Sequence, residues 1–148
     1  MELNTVAILA LNNAHATELS WLTPERLHTL LAQAFMARGD GTAFIMAFDE
    51  TAAYDSPNYL WFQTRYPRFI YVDRIVVAPA ARKQGHARRL YADLFTLAGE
   101  RPVCCEVNFD PPNPVSDAFH ARLGFHEVGR AAIHGGSKTV RYLARPPR

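Results

Sequence analysis

The stretch Ile75–Leu90, I-V-V-A-P-A-A-R-K-Q-G-H-A-R-R-L, holds the residues best suited to bind an anion. An apolar strand runs into a turn, and the turn opens a helix. Gly85 allows backbone to approach a ligand closely. The amides from Arg82 through Lys83, Gln84, Gly85, His86 and Ala87 to Arg88 sit where a helix begins, and N–H groups there point at an anion. The helix dipole adds positive potential at that end. Arg82, Lys83, Arg88 and Arg89 add formal charge. The chemistry is that of a phosphate or pyrophosphate cradle. No G-x-x-x-x-G-K-[ST] loop and no G-x-G-x-x-G fingerprint occurs in the chain. An ordinary strand–turn–helix connection with solvated basic side chains is the other reading of the same residues.

Other residues have types that suit proton transfer. Asp73 lies in the strand leading to the cradle, and it serves either as a proton acceptor or as an ion-pair partner of Arg74. Glu106 interrupts the apolar run V-C-C-E-V-N. A carboxylate there is costly unless it is paired or faces water. His120 can donate or accept near neutral pH, or can simply pack in a helix. Asn113 precedes Pro114 and reads as a helix cap. The aromatic residues Tyr54, Tyr59, Trp61, Phe62 and Tyr66 either wall a pocket or pack the core. Asp49, Glu50 and Asp55 nearby either attract a cation or decorate a solvated loop. Asn12 and Asn13 are placed near the same region.

The elements that must position these residues follow from pattern. Thr5–Leu11 reads as a first strand. Thr23 caps a helix with Pro24 at its first position, and Leu27, Leu30, Leu31, Ala34 and Phe35 recur at helical spacing. Gly39–Gly41 is a turn and Thr42–Phe48 a strand. Asp49–Pro67 is a long connection, helical in part around Leu60–Tyr66. Arg68–Val77 is the strongest strand, and Gly85–Ala98 is a helix. Val103–Asn108 is a strand. Pro111, Pro112 and Pro114 stiffen the next loop, a helix follows, and Gly124 stops it. Glu127–Ile133 and Lys138–Leu143 form a hairpin about Gly135-Gly136. These elements compose one mixed sheet with helices packed on it.

Val77-Ala78-Pro79, Arg82, Gly85 and Ala87 stand at the spacing V-x-P-x-x-[RQ]-x-x-G-x-[GA]. This resembles the acyl-CoA cradle of the GNAT superfamily of N-acyltransferases. A second block, Asn113, Ser116, His120, Gly124 and Phe125, falls at the offsets of that superfamily's N-x-x-A-x-x-x-Y-x-x-x-G-F pattern. The likeness runs from about Thr42 to Leu143. Y-D-S-P-N-Y, F-D-P-P-N-P and H-G-G are similar to a bacterial group of predicted acetyltransferases. Serine replaces the usual alanine, His120 the usual tyrosine, and His86 a usual aliphatic residue. The loop after Glu106 is longer than usual.

The resemblance implies a fold, an activity and a site. The fold is mixed α/β, of α+β type. It is a single domain over residues 1–148, with a mostly antiparallel central sheet flanked by helices and two splayed central strands. The activity is transfer of an acetyl group from acetyl-CoA directly to a primary amine. The backbone of Ile75, Val76 and Val77 pairs with the pantetheine arm, and the Arg82–Arg88 amides hold the pyrophosphate. Asn113, with Ser116 beside it, contacts the pantetheine. Asp73 or Glu106 takes the amine proton, because an alkylammonium of pKa ~10.4 has no lone pair to attack with. His120, in the tyrosine position, donates to the leaving thiolate. A catalytically weak acyl-CoA-binding module of the same fold is the alternative.

Composition sets the outer limits. The chain has 148 residues, 49% hydrophobic and 20% charged, with net charge +2, which excludes a disordered tail, a collagen-like fibre and a coiled coil. That balance gives no argument for nucleic acid. No run approaches the roughly 18 apolar residues of a membrane span, and Met1–Asn4 does not open like a secretory signal. Cys104 and Cys105 are sequence neighbours that point apart on a strand, so they read as free, buried thiols of a reducing cytoplasm. The expected partners are acetyl-CoA and an amine, without metal, nucleic acid or membrane. A homodimer is left open.

Overall fold

The structure is a computed structural model, and it describes residues 4–15, 21–110 and 112–147. Pro111 of the proline-rich loop and Met1–Leu3 at the start lie outside the described residues. The elements run α1 (Thr5–Ala14), α2 (Pro24–Gln33), β1 (Met36–Gly39), β2 (Ala43–Asp49), α3 (Pro57–Gln63), β3 (Ile70–Val77), a 3₁₀ turn (Pro79–Ala81), α4 (His86–Ala98), β4 (Val103–Asp110), α5 (Pro114–Arg122), β5 (His126–Ile133) and β6 (Lys138–Arg145). The six strands form one sheet in the order β1-β2-β3-β4-β6-β5. The β1/β2, β4/β6 and β5/β6 pairs are antiparallel, whereas β3 and β4 run parallel where Ile70 and Tyr71 face Val103 and Cys104. This is the mixed, mostly antiparallel sheet with flanking helices that the motif order implies.

The first element corrects the sequence reading. Thr5–Leu11 is not a strand but most of α1. A short apolar run does not distinguish strand from helix by periodicity. The deciding features are local. Asn4 accepts a hydrogen bond from the Ala7 amide at 3.1 Å as an N-cap, and Ile8, Leu11 and Asn12 form a buried stripe at i, i+3, i+4. The apolar periodicity after Thr23 also overruns its helix. Ala34 is already extended, Phe35 bonds to Ala47, and the short strand β1 follows. The helix predicted around Leu60–Tyr66 lies earlier, at Pro57–Gln63, because Pro57 supplies a favourable first position. The other elements stand close to their predicted places.

The chain divides into two compact units, Met1–Ala53 with Val72–Leu97, and Tyr54–Tyr71 with Ala98–Arg148. In the first, Thr23 caps α2 through the Arg26 amide, and Leu27 and Leu30 are each 1% exposed. Burying each leucine contributes about 1.5–3 kcal/mol. Asp40 accepts from the amides of Thr42 and Ala43 and closes the β1–β2 turn. Thr42 O in turn accepts the Ala78 amide at 2.7 Å, which fixes the end of β3.

The second unit is built on aromatic packing. Tyr59, Phe62 and Phe69 are fully buried. Trp61 stacks on Tyr142 with ring centroids 4.2 Å apart and meets Phe62 edge-on at 5.0 Å. The aromatic residues of the long connection therefore pack the core. Gly129, in β5, makes room for Trp61: a Cβ there would overlap the indole ring. Gly129→Ala is expected to cost about 1–3 kcal/mol through overpacking. Urea unfolding measures it, and an unchanged midpoint would show that the indole gives way freely.

Candidate functional site

The cradle residues lie in the first unit. Along β3, Asp73, Ile75 and Val77 are half-buried while Val72, Arg74 and Val76 are buried. The 3₁₀ turn follows, and Arg82 is extended. Lys83 then takes φ +64° and Gly85 φ +81°, both in the left-handed region. That conformation is open to glycine at no steric cost and is uncommon for lysine. The Arg89 amide bonds to Gly85 O at 3.0 Å, which starts the ladder of α4. The N–H groups of His86, Ala87 and Arg88 precede that bond, so helix geometry gives them no acceptor within the helix.

Basic side chains surround these amides. Arg82, Lys83, Arg88 and Arg89 are exposed. Arg89 folds back, donating to Gln84 O at 3.0 Å and meeting His86 Nδ1 at 3.2 Å. A guanidinium only donates, so His86 Nδ1 accepts and its ring proton is on Nε2. The left-handed turn, the helix start and the guanidinium together gather hydrogen-bond donors of the kind that suit a pyrophosphate.

Asp73 is committed elsewhere in this unit. Its carboxylate lies 2.7 Å from Arg74 Nε, with both side chains withdrawn from solvent at 5% and 4% exposure. Arg74 also donates to Asn12 Oδ1 at 2.9 Å. Asn12 donates to Asn13, whose amide exchanges two 2.9 Å hydrogen bonds with the Leu22 backbone. Asp73 thus belongs to a polar chain joining β3 to both sides of the α1–α2 connection. The alternative reading of Asp73, an ion pair with its neighbour, is realised.

Glu106, His120, Asn113 and Ser116 lie in the second unit. Glu106 is half-buried and accepts a 2.6 Å hydrogen bond from the Tyr71 hydroxyl. Its partner across the β4/β6 ladder is Tyr142, which donates to Asn58 Oδ1 at 2.9 Å. Burial first, and then the negative charge of Glu106, push the Tyr142 hydroxyl up to about 12. Cys104 is buried, and burial pushes its thiol well above the ordinary range, so it stays protonated.

Asn113, Ser116 and His120 are joined along α5. Asn113 Oδ1 accepts the Ser116 amide at 3.2 Å and so caps the helix as predicted. His120 Nδ1 lies 2.8 Å from Ser116 O and 3.3 Å from Ser116 Oγ. A carbonyl only accepts, so Nδ1 carries the proton and gives it to the backbone. The ring is 6% exposed and meets Phe119 and Phe125 edge-on at 5.4 and 5.2 Å. Burial lowers its pKa, opposed by the Ser116 carbonyl and the Asp117 charge. His120 is therefore neutral at pH 7, with its N–H turned into its own helix. Sequence pattern does not single out Tyr71, Tyr142 or Asn58 as partners of these groups.

The sequence profile of the acetyltransferase (GNAT) family matches residues 11–125. The chain belongs to the GNAT family. Solved structures agree on the fold of this GNAT chain. The ribosomal-protein-S18-alanine N-acetyltransferase of Escherichia coli is similar at 15% identity and TM-score 0.66, covering 97% of this chain and 88% of its own. Naa20 of Chaetomium thermophilum, in complex with a bisubstrate analogue, is similar at 20% identity and TM-score 0.69, covering 93% and 80%. The NatB acetyltransferase complex bound to CoA and MES is similar at 12% identity and TM-score 0.70, covering 98% and 96%. Among curated protein sequences none matches the chain. Among the described residues, no helix is long and apolar enough to cross a membrane.

The burial of His120 carries a pH dependence. Its folded pKa is lowered, so between the unfolded value near ~6.5 and the lower folded value the unfolded chain binds more protons. The stability from the neutral ring is fully present above about pH 6.5 and is lost as pH falls toward the folded pKa. Unfolding free energy measured from pH 7.5 to 5 is expected to fall for the wild type and to fall less steeply for His120→Phe. Parallel curves would contradict the buried neutral ring.

Proposed function

We propose that this GNAT chain transfers an acetyl group from acetyl-CoA directly to a primary amine of a small molecule or peptide. The observation that carries the reading is the turn between β3 and α4, with left-handed backbone at Lys83 and Gly85 leading into a helix start. Its donor set suits a pyrophosphate: backbone N–H groups from His86 to Arg88, the helix dipole, and the charges of Arg82, Lys83 and Arg88. The backbone of Ile75, Val76 and Val77 lends its hydrogen-bonding capacity to the pantetheine arm as an added strand would. Asn113 uses its side chain as a cap and its carbonyl accepts the Asp117 amide, so the second lone pair of that carbonyl and the backbone N–H are what it offers to the pantetheine, with Ser116 next to it. Acetyl-CoA, when bound, supplies the thioester carbonyl. Two neighbours support the acyl-transfer reading: the Escherichia coli one is named for alanine N-acetylation, and NatB is bound to CoA.

The chain must also take a proton from the amine. Glu106 is our choice of base, because the Asp73 carboxylate is withdrawn into an ion pair whereas Glu106 is half-buried with a tyrosine hydroxyl as its hydrogen-bond donor. Nitrogen attacks the thioester carbon as its proton passes to Glu106, directly or through water. The C–N bond forms, the C–S bond breaks, and the sulfur leaves with the electron pair. His120 supports α5 beneath Asn113 in this reading, since its proton is given to Ser116 O. The same observation supports a second reading, a weakly catalytic acyl-CoA-binding module: in the position expected to hold an acid, the Nδ1 proton of His120 is given to the backbone.

Gly85→Val is expected to abolish acetyl-CoA binding while the protein stays folded. The new side chain would meet the Arg89 guanidinium and force a left-handed φ on a β-branched residue. Calorimetric titration with acetyl-CoA tests this, and unchanged affinity in a folded variant removes the cradle from the proposal.

Glu106→Gln is expected to lower turnover by on the order of 10²–10⁴ with acetyl-CoA affinity kept. Asp73→Asn should act chiefly on stability, since it leaves Arg74 without its buried partner. Near-full turnover of Glu106→Gln across pH 6–9, with Asp73→Asn folded and inactive, would reverse the two assignments.

A further inference from the structure

Tyr71 is 1% exposed and packs against two rings, edge-on to Tyr59 with centroids 5.8 Å apart and tilted against Phe62 at 5.9 Å. Packing fixes its hydroxyl in space, and a buried hydroxyl must find a partner. The partner is Glu106, at 2.6 Å. Register explains the reach. Tyr71 faces Cys104 across the parallel pair, and Glu106 is two residues further on the same face of β4, a diagonal neighbour within range of an aromatic side chain. A fully buried tyrosine bonded to the carboxylate of a half-buried residue locates the carboxylate, not the reverse. A carboxylate has about four lone-pair sites, so one hydroxyl does not exhaust its capacity to accept a proton.

We propose that Tyr71 is a positioning residue, which holds the Glu106 carboxylate in place and in its ionised form for the amine proton. This rests on the reading of Glu106 as the base. The groups facing Glu106 include Tyr71 from β3, Tyr142 from β6 and Cys104 two residues earlier on β4. Beyond α3, the Arg65 charge acts on Tyr142 and Tyr66 interacts with Cys104. Tyr71 is the one whose proton is given to Glu106 in a short bond, and Tyr142 gives its own to Asn58.

A donor bonded to the charged form favours that form. Removal of the Tyr71 hydroxyl therefore raises the pH at which Glu106 ionises. The test is carbon-13 NMR titration of the Glu106 carboxyl in wild type, Tyr71→Phe and Tyr142→Phe. It is paired with thiol release from acetyl-CoA in an equimolar mixture of spermidine, kanamycin and an alanine-terminated peptide. Tyr71→Phe is expected to move the Glu106 titration upward by on the order of one pH unit and to lower kcat about tenfold, with KM for acetyl-CoA unchanged. Tyr142→Phe is expected to lose stability without moving the titration comparably. If Tyr71→Phe does not fold, Glu106→Asp withdraws the carboxylate from the same hydroxyl and should lower kcat with KM for acetyl-CoA unchanged.

A Glu106 titration unmoved by Tyr71→Phe, or moved with kcat intact, overturns the positioning role while a crippled Glu106→Gln keeps the base. Full turnover of Glu106→Gln overturns the base and the positioning role together. Absence of amine-dependent thiol release in the wild type overturns the proposed function itself.

Discussion

Two left-handed residues within three positions constrain the path of the chain beyond β3. Lys83 at φ +64° and Gly85 at φ +81° turn it sharply, so that α4 begins with its first amides gathered at the end of that strand. An extended or helical path through the same residues would carry the helix start elsewhere. Neighbouring interactions hold this geometry. The Ala78 amide anchors the strand end to Thr42, and Arg89 bonds back to Gln84. Positive potential at this point arises from position as much as from composition, since net charge over the chain is only +2. Screening by salt weakens distant charges more than it weakens backbone donors in direct contact with a ligand.

The two candidate carboxylates differ because their surroundings differ. Asp73 is drawn into a polar chain through Arg74, Asn12 and Asn13 to Leu22, so its charge is used in tying α1 to β3. Removing one member of such a buried pair leaves the other uncompensated, at a cost of about 3–5 kcal/mol. Glu106 keeps partial exposure and is held by a tyrosine set in aromatic packing. The aromatic residues Tyr59 and Phe62 of α3 pack on that tyrosine, and in the mechanism we propose this packing lets a short hydrogen bond orient the carboxylate.

Local signals are legible in the amino-acid sequence. Thr23-Pro24 and Asn113-Pro114 cap helices where their residue types predict, and β3 follows its β-branched and aromatic run. The turn between β3 and α4, where we propose the cradle, is legible because its residues are contiguous, from Val77 to Ala87. Non-local pairings leave no such pattern. Arg74 meets Asn12 across 62 positions, and Tyr142 meets Asn58 across 84. The Tyr71–Glu106 bond needs the β3/β4 register, which neither strand carries alone. Thr5–Leu11 reads as a strand yet folds as a helix, because an apolar run of that length suits either element and its cap at Asn4 is a single residue. The spacing after Asn113 puts His120 on α5, but shows neither its burial nor the direction of its N–H.

The central claim is acetyl transfer to an amine, and its most direct measurement tracks both products. Purified protein is incubated with acetyl-CoA alone and with a broad panel of amines, amino acids, polyamines and peptides. Free CoA thiol and the mass of each amine are then recorded. The account predicts thiol release that depends on an amine, with that amine gaining one acetyl group per thiol released. Tight binding of acetyl-CoA with no amine-dependent release across the panel would contradict it and leave a binding module.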